Sequence, residues 1–573
     1  VLLALIAHGA SLRSGFVYDD LRFVVNNPAL ETRAPLELVL DAGTHTSDRD
    51  RDVYRPLRAL GHRFDRARWG LEPFGFHLHS LLVHALCALL TFETVRRLVP
   101  EAGPGGAAFA AGVLAAHPLG CEVVDWISSR GDAYGYGLGL CALLAYAAAD
   151  GAGRARGLAC TLGATLAAFA AMLGKESAAA LPLVALVHRR LLGRGALAPV
   201  LGMGAGVLAA LALRQHAVGG ASPIQTAPHG GSWAAQLGWA LFGTGRTALH
   251  VVWPAGLSIE YPQLEWARGA PLWVPDALAG WARVPTLLAL GLIALAVALR
   301  RRRPVVAFGL AWALLAYLPS SSALVTLRSL VNDRMAYPAL AGAGLALAGA
   351  PWPRAPRARA VLATLLLAAL CGLAMARARV FASEASLWTD ALRVAPREVR
   401  AHLGLARAAE GDPRTQRRHL ERAVEVAPPR SRPAAVARAQ LGDLLVHRLD
   451  EPEAAIPHLV AALAIGQAER AGGGAVTSHE LAAVGALADA LARLGRLEDA
   501  DGALATMIEQ APDVVALRLK RAMLWLGAAE SLDDPAAARE RARAALNRAA
   551  ALDPDHPQLG PLRELLRAGA GGG

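Results

Sequence analysis

The sequence predicts an all-helical protein in two parts, a polytopic membrane domain followed by a soluble array of paired helices. Three observations carry this. Apolar runs that approach the span of a bilayer recur up to about Val380. Arginine clusters occupy the gaps between them. Beyond that point apolar residues become helically periodic and a short pattern repeats. Of the 573 residues 54% are hydrophobic, and mean hydropathy is +0.34.

Membrane helices are expected near 1–12, 77–98, 105–119, 131–149, 157–173, 177–193, 198–214, 283–299, 304–319, 335–350 and 359–376. Val1 already lies in an apolar stretch without a basic flank. Val1–Ala10 therefore reads as the body of a first span rather than a cleaved signal peptide. Placing Arg96–Arg97, Arg154/Arg156, Arg189–Arg190, Arg300 to Arg303 and Arg354/Arg357/Arg359 on the cytoplasmic side makes the helices alternate. Segments 13–76, 120–130, 174–176, 215–282, 320–334 and everything after 377 then face outward. Trp233–Pro254 is apolar enough to span but carries Arg246 and His250, and reads as an interfacial or re-entrant helix. The first outer loop, 13–76, is rich in arginine (Arg49, Arg51, Arg55, Arg58, Arg63, Arg66, Arg68). Long loops obey the charge rule poorly.

The net charge of +11 is therefore a topology signal, and no nucleic-acid partner is expected. Cys87, Cys121, Cys141, Cys160 and Cys371 show no CxxC spacing and read as packing residues, not zinc ligands or disulfides.

The membrane domain is expected over 1–380 and the array over 381–570. In the array a Leu-Gly pair recurs at Leu403–Gly404 and Leu441–Gly442. Small residues follow at Ala423, Ala454 and Ala461, Ala500, and Ala542 and Ala549. Helix-ending prolines recur at Pro396, Pro428, Pro512 and Pro554, and Trp388 with Ala391 forms an incomplete first unit. Insertions fall around Ala471–Thr477 and Ser531–Pro535. This is the pattern of the tetratricopeptide solenoid, whose concave face suits a polypeptide partner.

Ionisable residues are costly at membrane depth, so their clusters are the candidate chemistry. Asp19 and Asp20 follow the first helix; paired carboxylates there supply a general base, bind a divalent ion, or simply solvate a helix end. Arg55, held by Pro56, suits a phosphate or an ion pair with Asp52 or Asp65. His117, Glu122, Asp125, Trp126, Arg130 and Asp132 crowd one short connection. Lys175 and Glu176 sit in a very short turn, and Lys175 is one of only two lysines among 58 basic residues. It reads either as a phosphate ligand or as half of a Lys–Glu pair. Arg328 and Asn332-Asp333-Arg334 precede the tenth helix. No Walker loop, GxGxxG after a strand, or HExxH is present, which disfavours a nucleotide-using enzyme. What remains is a ring of carboxylates and cations at one membrane surface, suited to a lipid phosphate with a polar head.

The order of these motifs resembles the transmembrane and tetratricopeptide-repeat-containing O-mannosyltransferases and bacterial proteins of that architecture. It runs Tyr-Asp-Asp, Tyr-Arg-Pro-Leu, Gly-Phe-His-Leu-His (Gly75–His79), His-Pro…Glu…Arg-Gly-Asp, Gly-Lys-Glu, Asn-Asp-Arg-Met-Ala-Tyr-Pro, Trp-Thr-Asp-Ala-Leu, then the repeats. The resemblance implies a GT-C fold acting outside the cytoplasm. It implies a polyprenyl-phosphate sugar as donor and a protein Ser or Thr hydroxyl as acceptor, the latter held by the repeats. It puts the catalytic acid on Asp19 or Asp20, with Asp19 favoured as base. It makes Arg55, Arg130, Lys175 and Arg334 candidates for the lipid phosphate, and Glu122 and Asp132 their orienters, with His117 and Glu176 beside them. Transfer would invert the anomeric centre, and the lipid-monophosphate branch implies no metal; a divalent ion stays open. The Ala- and Arg-heavy composition points to a bacterial inner membrane, undecaprenyl phosphate and a sugar other than mannose as an option. Competing readings are an envelope glycan polymerase or ligase, using Arg246, His250 and Glu260 in the loop 215–282, and a non-enzymatic membrane-tethered scaffold.

Overall fold

The structure is a computed structural model. It describes every residue except 47–52, 220–227, 229–231, 262–275, 328, 471–475 and 569–573. Arg49, Arg51, Asp52 and Arg328, most of the 471–477 insertion and part of the 215–282 loop therefore lie outside the described residues. The described elements are helical, and the chain divides into compact units Val1–Pro396 and Arg397–Gly573.

Helices cover all eleven stretches expected to span, but not all at spanning length. Pro73–Leu98, Arg154–Gly174, Leu197–Ala217 and Pro356–Ala382 are long and apolar enough to cross a membrane. A fifth crossing would need Pro100–Ala116 joined to Pro118–Val124 across a 54° bend. The others are shorter or more polar. The tenth expected span is a 3-10 run, Asp333–Ala339, followed by only nine α-helical residues, Leu340–Ala348. At about 1.5 Å per residue that α-helix cannot reach across roughly 30 Å of hydrocarbon. Two glycines within it let neighbouring helices approach closely. A Cβ on Gly342 would stand 2.5 Å from Ala313 N, and one on Gly344 2.9 Å from Ala110 Cα. Trp233–Val252 is one continuous helix lying against Asp276–Leu299.

The long helices turn leucine outward and polar residues inward. Along Pro73–Leu98, Leu82, Leu86 and Leu89 are exposed at 56, 53 and 52%, whereas His77, His84, Thr91 and Thr94 are fully buried. Leu158, Leu162 and Leu166 form the same stripe on Arg154–Gly174. Contiguous exposed leucine at i, i+4 spacing is a lipid-facing surface, and the buried polar residues must then satisfy one another.

The bonds that the arginines make within the long first loop, 13–76, explain why it tolerates so much positive charge. In the helix Pro56–Trp69, Arg63 donates to the carbonyls of Leu30 and Arg33 at 2.8 and 2.7 Å. Arg66 donates to Val24 O at 2.6 Å and to Glu31 at 2.6 Å. They staple the irregular chain 21–40 onto the helix.

The first unit ends after Pro396 rather than after residue 380, because the helix Glu384–Val394 packs into it. Trp388 is 1% exposed, with its ring 4.9 Å from Tyr18.

The second unit is a run of helices: Val399–Ala408, Pro413–Val426, Arg432–His447, Pro452–Arg470, Ser478–Arg493, Leu497–Gln510, Val515–Ala528, Pro535–Leu552 and Leu559–Ala568. Starts and stops follow local chemistry. Asp412 caps with its carboxylate on Arg414 N and Thr415 N, and Asp534 does so on Ala536 N and Ala537 N. Pro413, Pro452 and Pro535 occupy first-turn positions, while Pro428, Pro512 and Pro554 follow helix ends. Ala423, Ala500, Ala542 and Ala549 are fully buried. Between them the register is one residue later than expected: Ala455 and Ala462 are buried, and Ala454 is exposed. A Cβ on Gly442 would stand 2.4 Å from Leu459 Cγ, so the Leu-Gly pair permits close approach of two helices.

Candidate functional site

Asp19 and Asp20 leave the first helix through a strained turn. Tyr18 has φ 55°, a left-handed conformation that a non-glycine residue adopts at a cost of about 1–2 kcal/mol. The turn is held from several sides. Tyr18 N–H donates to Glu384 Oε1, and its hydroxyl donates to Glu260 Oε1 at 3.2 Å. Its ring stacks on Trp126 at 5.4 Å and meets Trp388 edge-on.

The turn sends the two carboxylates to different environments. Asp20 is fully buried. Its Oδ1 accepts from Ser128 N at 2.8 Å and Ser128 Oγ at 2.5 Å, and its Oδ2 from Val17 N at 3.1 Å. Burial pushes its pKa up to about 7, although the hydrogen bonds from Ser128 and Val17 pull the other way. Asp19 is half-buried, and its charge acts on the neighbouring Arg58.

The cations come from separate segments. Arg55 precedes the helix Pro56–Trp69, Lys175 follows Arg154–Gly174, and Arg334 is the second residue of the 3-10 run. Glycines let the first two meet the helix Arg130–Ala148. A Cβ on Gly135 would stand 2.8 Å from Lys175 Cβ, and one on Gly131 2.9 Å from Gly174 O. Ion pairs then cross between segments. Lys175 Nζ lies 3.0 Å from Asp132 Oδ2, and Arg55 Nε lies 3.6 Å from Glu176 Oε2. Arg334 pairs with Glu122 through Nη1, donates its backbone N–H to Glu122 Oε2 at 3.1 Å, and lies 5.2 Å above the Trp126 ring. Burial, helped by Arg55, pushes the Lys175 pKa down to about 8 against the pull of Asp132; Arg334 and Glu176 act on it as well.

Arg58 completes the group. It is 2% exposed and lies 3.8 Å above the Phe23 ring. Nη1 makes a long contact of 3.5 Å to Ser128 O, while Nε and Nη2 are buried without a hydrogen-bond partner. Burial, with Arg55 nearby, pulls its pKa down to about 9. A buried guanidinium with idle donors is costly, and an anion relieves that cost. One signal for it existed in the sequence: Arg58 is one helical turn from Arg55, on the same face.

The other expected residues go elsewhere. Arg130 is fully buried, and its donors are engaged by Asp65, by Ser80 Oγ at 2.9 Å, by Phe76 O at 2.7 Å and by His79 Nδ1 at 3.1 Å. That is an internal strut, and Asp65 is accordingly not a partner of Arg55. His117 bonds the backbone, with Nε2 2.9 Å from Val251 O and Nδ1 accepting from Leu119 N. Asp125 pairs with His8. Lys175 and Glu176 do not pair mainly with each other but exchange partners with Asp132 and Arg55. Asp333 accepts from the Tyr261 hydroxyl at 2.6 Å, and His250 packs on the Tyr261 ring.

A small apolar cleft of about 30 Å³ is bordered by Gly135, which packs against Lys175. Gly139, Leu140, Leu143, Leu181, Val184 and Trp312 line it. Gly135, Ser177 and Pro338 also border it, each within about one helical turn of Asp132, Lys175 or Arg334.

No family model matches the chain. It is 31% identical over 154 residues to protein O-mannosyl-transferase Tmtc1 of Drosophila melanogaster, covering 25% of this chain and 17% of that protein. It is 33% identical over 153 residues to TMTC1 of Mus musculus, covering 25% and 15%, and 32% identical over 151 residues to TMTC1 of Homo sapiens, covering 25% and 16%. The matched stretch thus spans about a sixth of those relatives' length. Among solved structures, ArnT from Cupriavidus metallidurans, bound to undecaprenyl phosphate, is similar with a TM-score of 0.36 and 17% identity over 90% of this chain and 79% of that one. Over a quarter of its length, then, the chain is similar in sequence to the protein O-mannosyl-transferases, the family that its ordered motifs resemble.

Proposed function

We propose that the chain is a membrane glycosyltransferase of GT-C type that moves a hexose from a polyprenyl phosphate to a protein Ser or Thr hydroxyl outside the cytoplasm. The observation that carries this reading is the pairing of a cation cluster with long helices that turn leucine outward. Arg55 and Arg334 act on Lys175, and Arg55 and Asp19 act on Arg58, while Leu82, Leu86, Leu158 and Leu162 stand exposed on the helices of the same unit. A lipid phosphate needs that combination, and the sequence similarity to protein O-mannosyl-transferases points to the same chemistry.

In this reading the acceptor oxygen attacks the anomeric carbon as the bond from that carbon to the phosphate oxygen breaks. Asp19 takes the hydroxyl proton. The leaving lipid phosphate keeps the bonding electron pair, and the cations stabilise its charge in a water-poor setting. Asp20 acts through position: its carboxylate ties the turn to Ser128. The donor lipid is undecaprenyl phosphate in a bacterial inner membrane, and the helical array, read as a tetratricopeptide solenoid, binds the acceptor polypeptide.

The test is transfer in liposomes from a polyprenyl-phosphate hexose to an acceptor peptide. Asp19→Asn should lower the transfer rate by about 10²–10⁴-fold while leaving donor binding in place. Full transfer by an Asp19→Asn/Asp20→Asn variant would sink the mechanism.

A further inference from the structure

A different polar cluster lies beneath the turn that carries Trp126 and Ser128. The helix Leu2–His8 ends on His8, and the four-residue helix Cys121–Val124 presents Cys121 and delivers Asp125 one turn later. His8, Cys121 and Asp125 are each 0% exposed, and one donor atom from each lies within 4.8 Å of the other two. His8 Nδ1 stands 3.0 and 3.2 Å from the Asp125 carboxylate oxygens. His8 Nε2 is buried without a hydrogen-bond partner. The Cys121 thiol reaches the Ala374 carbonyl at 3.4 Å. The proposed transfer chemistry uses none of these three residues.

We propose that His8, Cys121 and Asp125 bind a zinc ion that fastens the site-bearing segment to the first helix. The donors are an imidazole nitrogen, a thiolate and a carboxylate oxygen, the set that borderline-soft zinc takes. Ligands at about 2.0–2.3 Å around a tetrahedral ion stand roughly 3.2–3.8 Å apart. The His8–Asp125 separation already falls close to that, and Cys121 needs only a small approach. The three donors leave the fourth tetrahedral position to a water, and the thiolate and the carboxylate together neutralise the dication in this buried locus. Binding displaces the Cys121 thiol proton to solvent.

The location gives the ion its role. A four-residue helix has no stability of its own. This one contains Glu122, which holds Arg334, and leads into Trp126 and Ser128, which hold Tyr18 and Asp20. Zinc at its start and end fixes both contacts at once, as a positioning element rather than a Lewis acid for the transfer.

The experiment uses the full chain purified in detergent without chelators. Metal content is measured by mass spectrometry, followed by exchange with Co²⁺. The expected result is stoichiometric zinc, and after exchange an intense near-ultraviolet thiolate-to-cobalt absorption. Cys121→Ser should lose that absorption and Cys87→Ser, altered at another buried cysteine, should keep it. Folded wild-type chain that takes up neither ion overturns the proposal and leaves a His8–Asp125 ion pair beside a packing thiol. Bound cobalt without the thiolate band overturns the ligand set. Where Cys121→Ser fails to fold, the wild-type spectrum decides. Neither readout depends on transferase activity, so this proposal and the functional one fail separately.

Discussion

The two compact units place charge in opposite ways. The first exposes leucine and buries Asp20, Asp65, Asp125, Arg130 and Asp132, each at 5% exposure or less. The second buries alanine and leucine, and many of its ion pairs lie at the surface, such as Arg417–Glu421 and Arg541–Glu498. Each follows from its solvent. Leucine against lipid gains nothing by turning inward, so specificity inside the first unit comes from matched polar partners. In the second unit the helices are joined by small residues that admit close approach, and surface ion pairs contribute little, about 0–1 kcal/mol each.

The sharpest way to break this comparison is to ask whether a charge in the first unit is chemistry or architecture. Asp19 is half-buried among cations and is expected to be chemistry. Asp19→Asn should lower the transfer rate by about 10²–10⁴-fold with little change in thermal stability, as loss of a general base does. Single-turnover kinetics beside a melting curve measure both. A rate within a few-fold of wild type would remove Asp19 from the reaction.

Arg130 is expected to be architecture. Arg130→Met leaves the Asp65 carboxylate in a dry interior with His79 alone. Breaking a buried pair on one side costs about 3–5 kcal/mol. The variant should lose folded yield and melt earlier. A stable Arg130→Met chain defective only in donor binding would return Arg130 to the phosphate site.

In the second unit the matching change is steric. Gly442→Val drives a branched side chain into Leu459, and overpacking of this kind costs about 1–3 kcal/mol. Circular dichroism of the full chain should show an early transition. Charge-reversing Glu421 should cost much less, because that pair is half exposed.

Legibility in the sequence followed the same division. Element type was readable throughout, since apolar length and Leu-Gly or proline punctuation are local signals. Lys175 stood out as a rare lysine, and the Asp19–Asp20 pair by position. Partners were not readable. Arg130 and Asp65 are 65 residues apart, and nothing in either neighbourhood names the other. Arg58 was one arginine among several in its loop, marked only by standing one turn from Arg55, and the idle Nε and Nη2 that single it out show only in the structure. The Ala454/Ala455 slip has a simpler cause. On a helix rich in alanine, one residue of register decides burial, and the composition is the same either way.

The smallest effect at neutral pH sharpens the comparison most, because it separates a charge held for its partner from a charge held for a ligand. Burial lowers the Lys175 pKa from 10.5 to about 8 in the folded chain. Between those values the folded protein carries fewer protons than the unfolded one, so stability rises with pH across that window. The grip on an anion runs the other way and weakens as pH rises through about 8. Lys175→Arg keeps the same Cβ against Gly135 and stays charged throughout. At neutral pH it should bind the lipid phosphate within a few-fold of wild type. On the alkaline side wild-type affinity should fall while that of the variant stays level. Isothermal titration with a polyprenyl phosphate at several pH values reads this directly. Parallel alkaline limbs for the two chains would mean that Lys175 serves Asp132 alone, and that the cation holding the phosphate is one of the arginines.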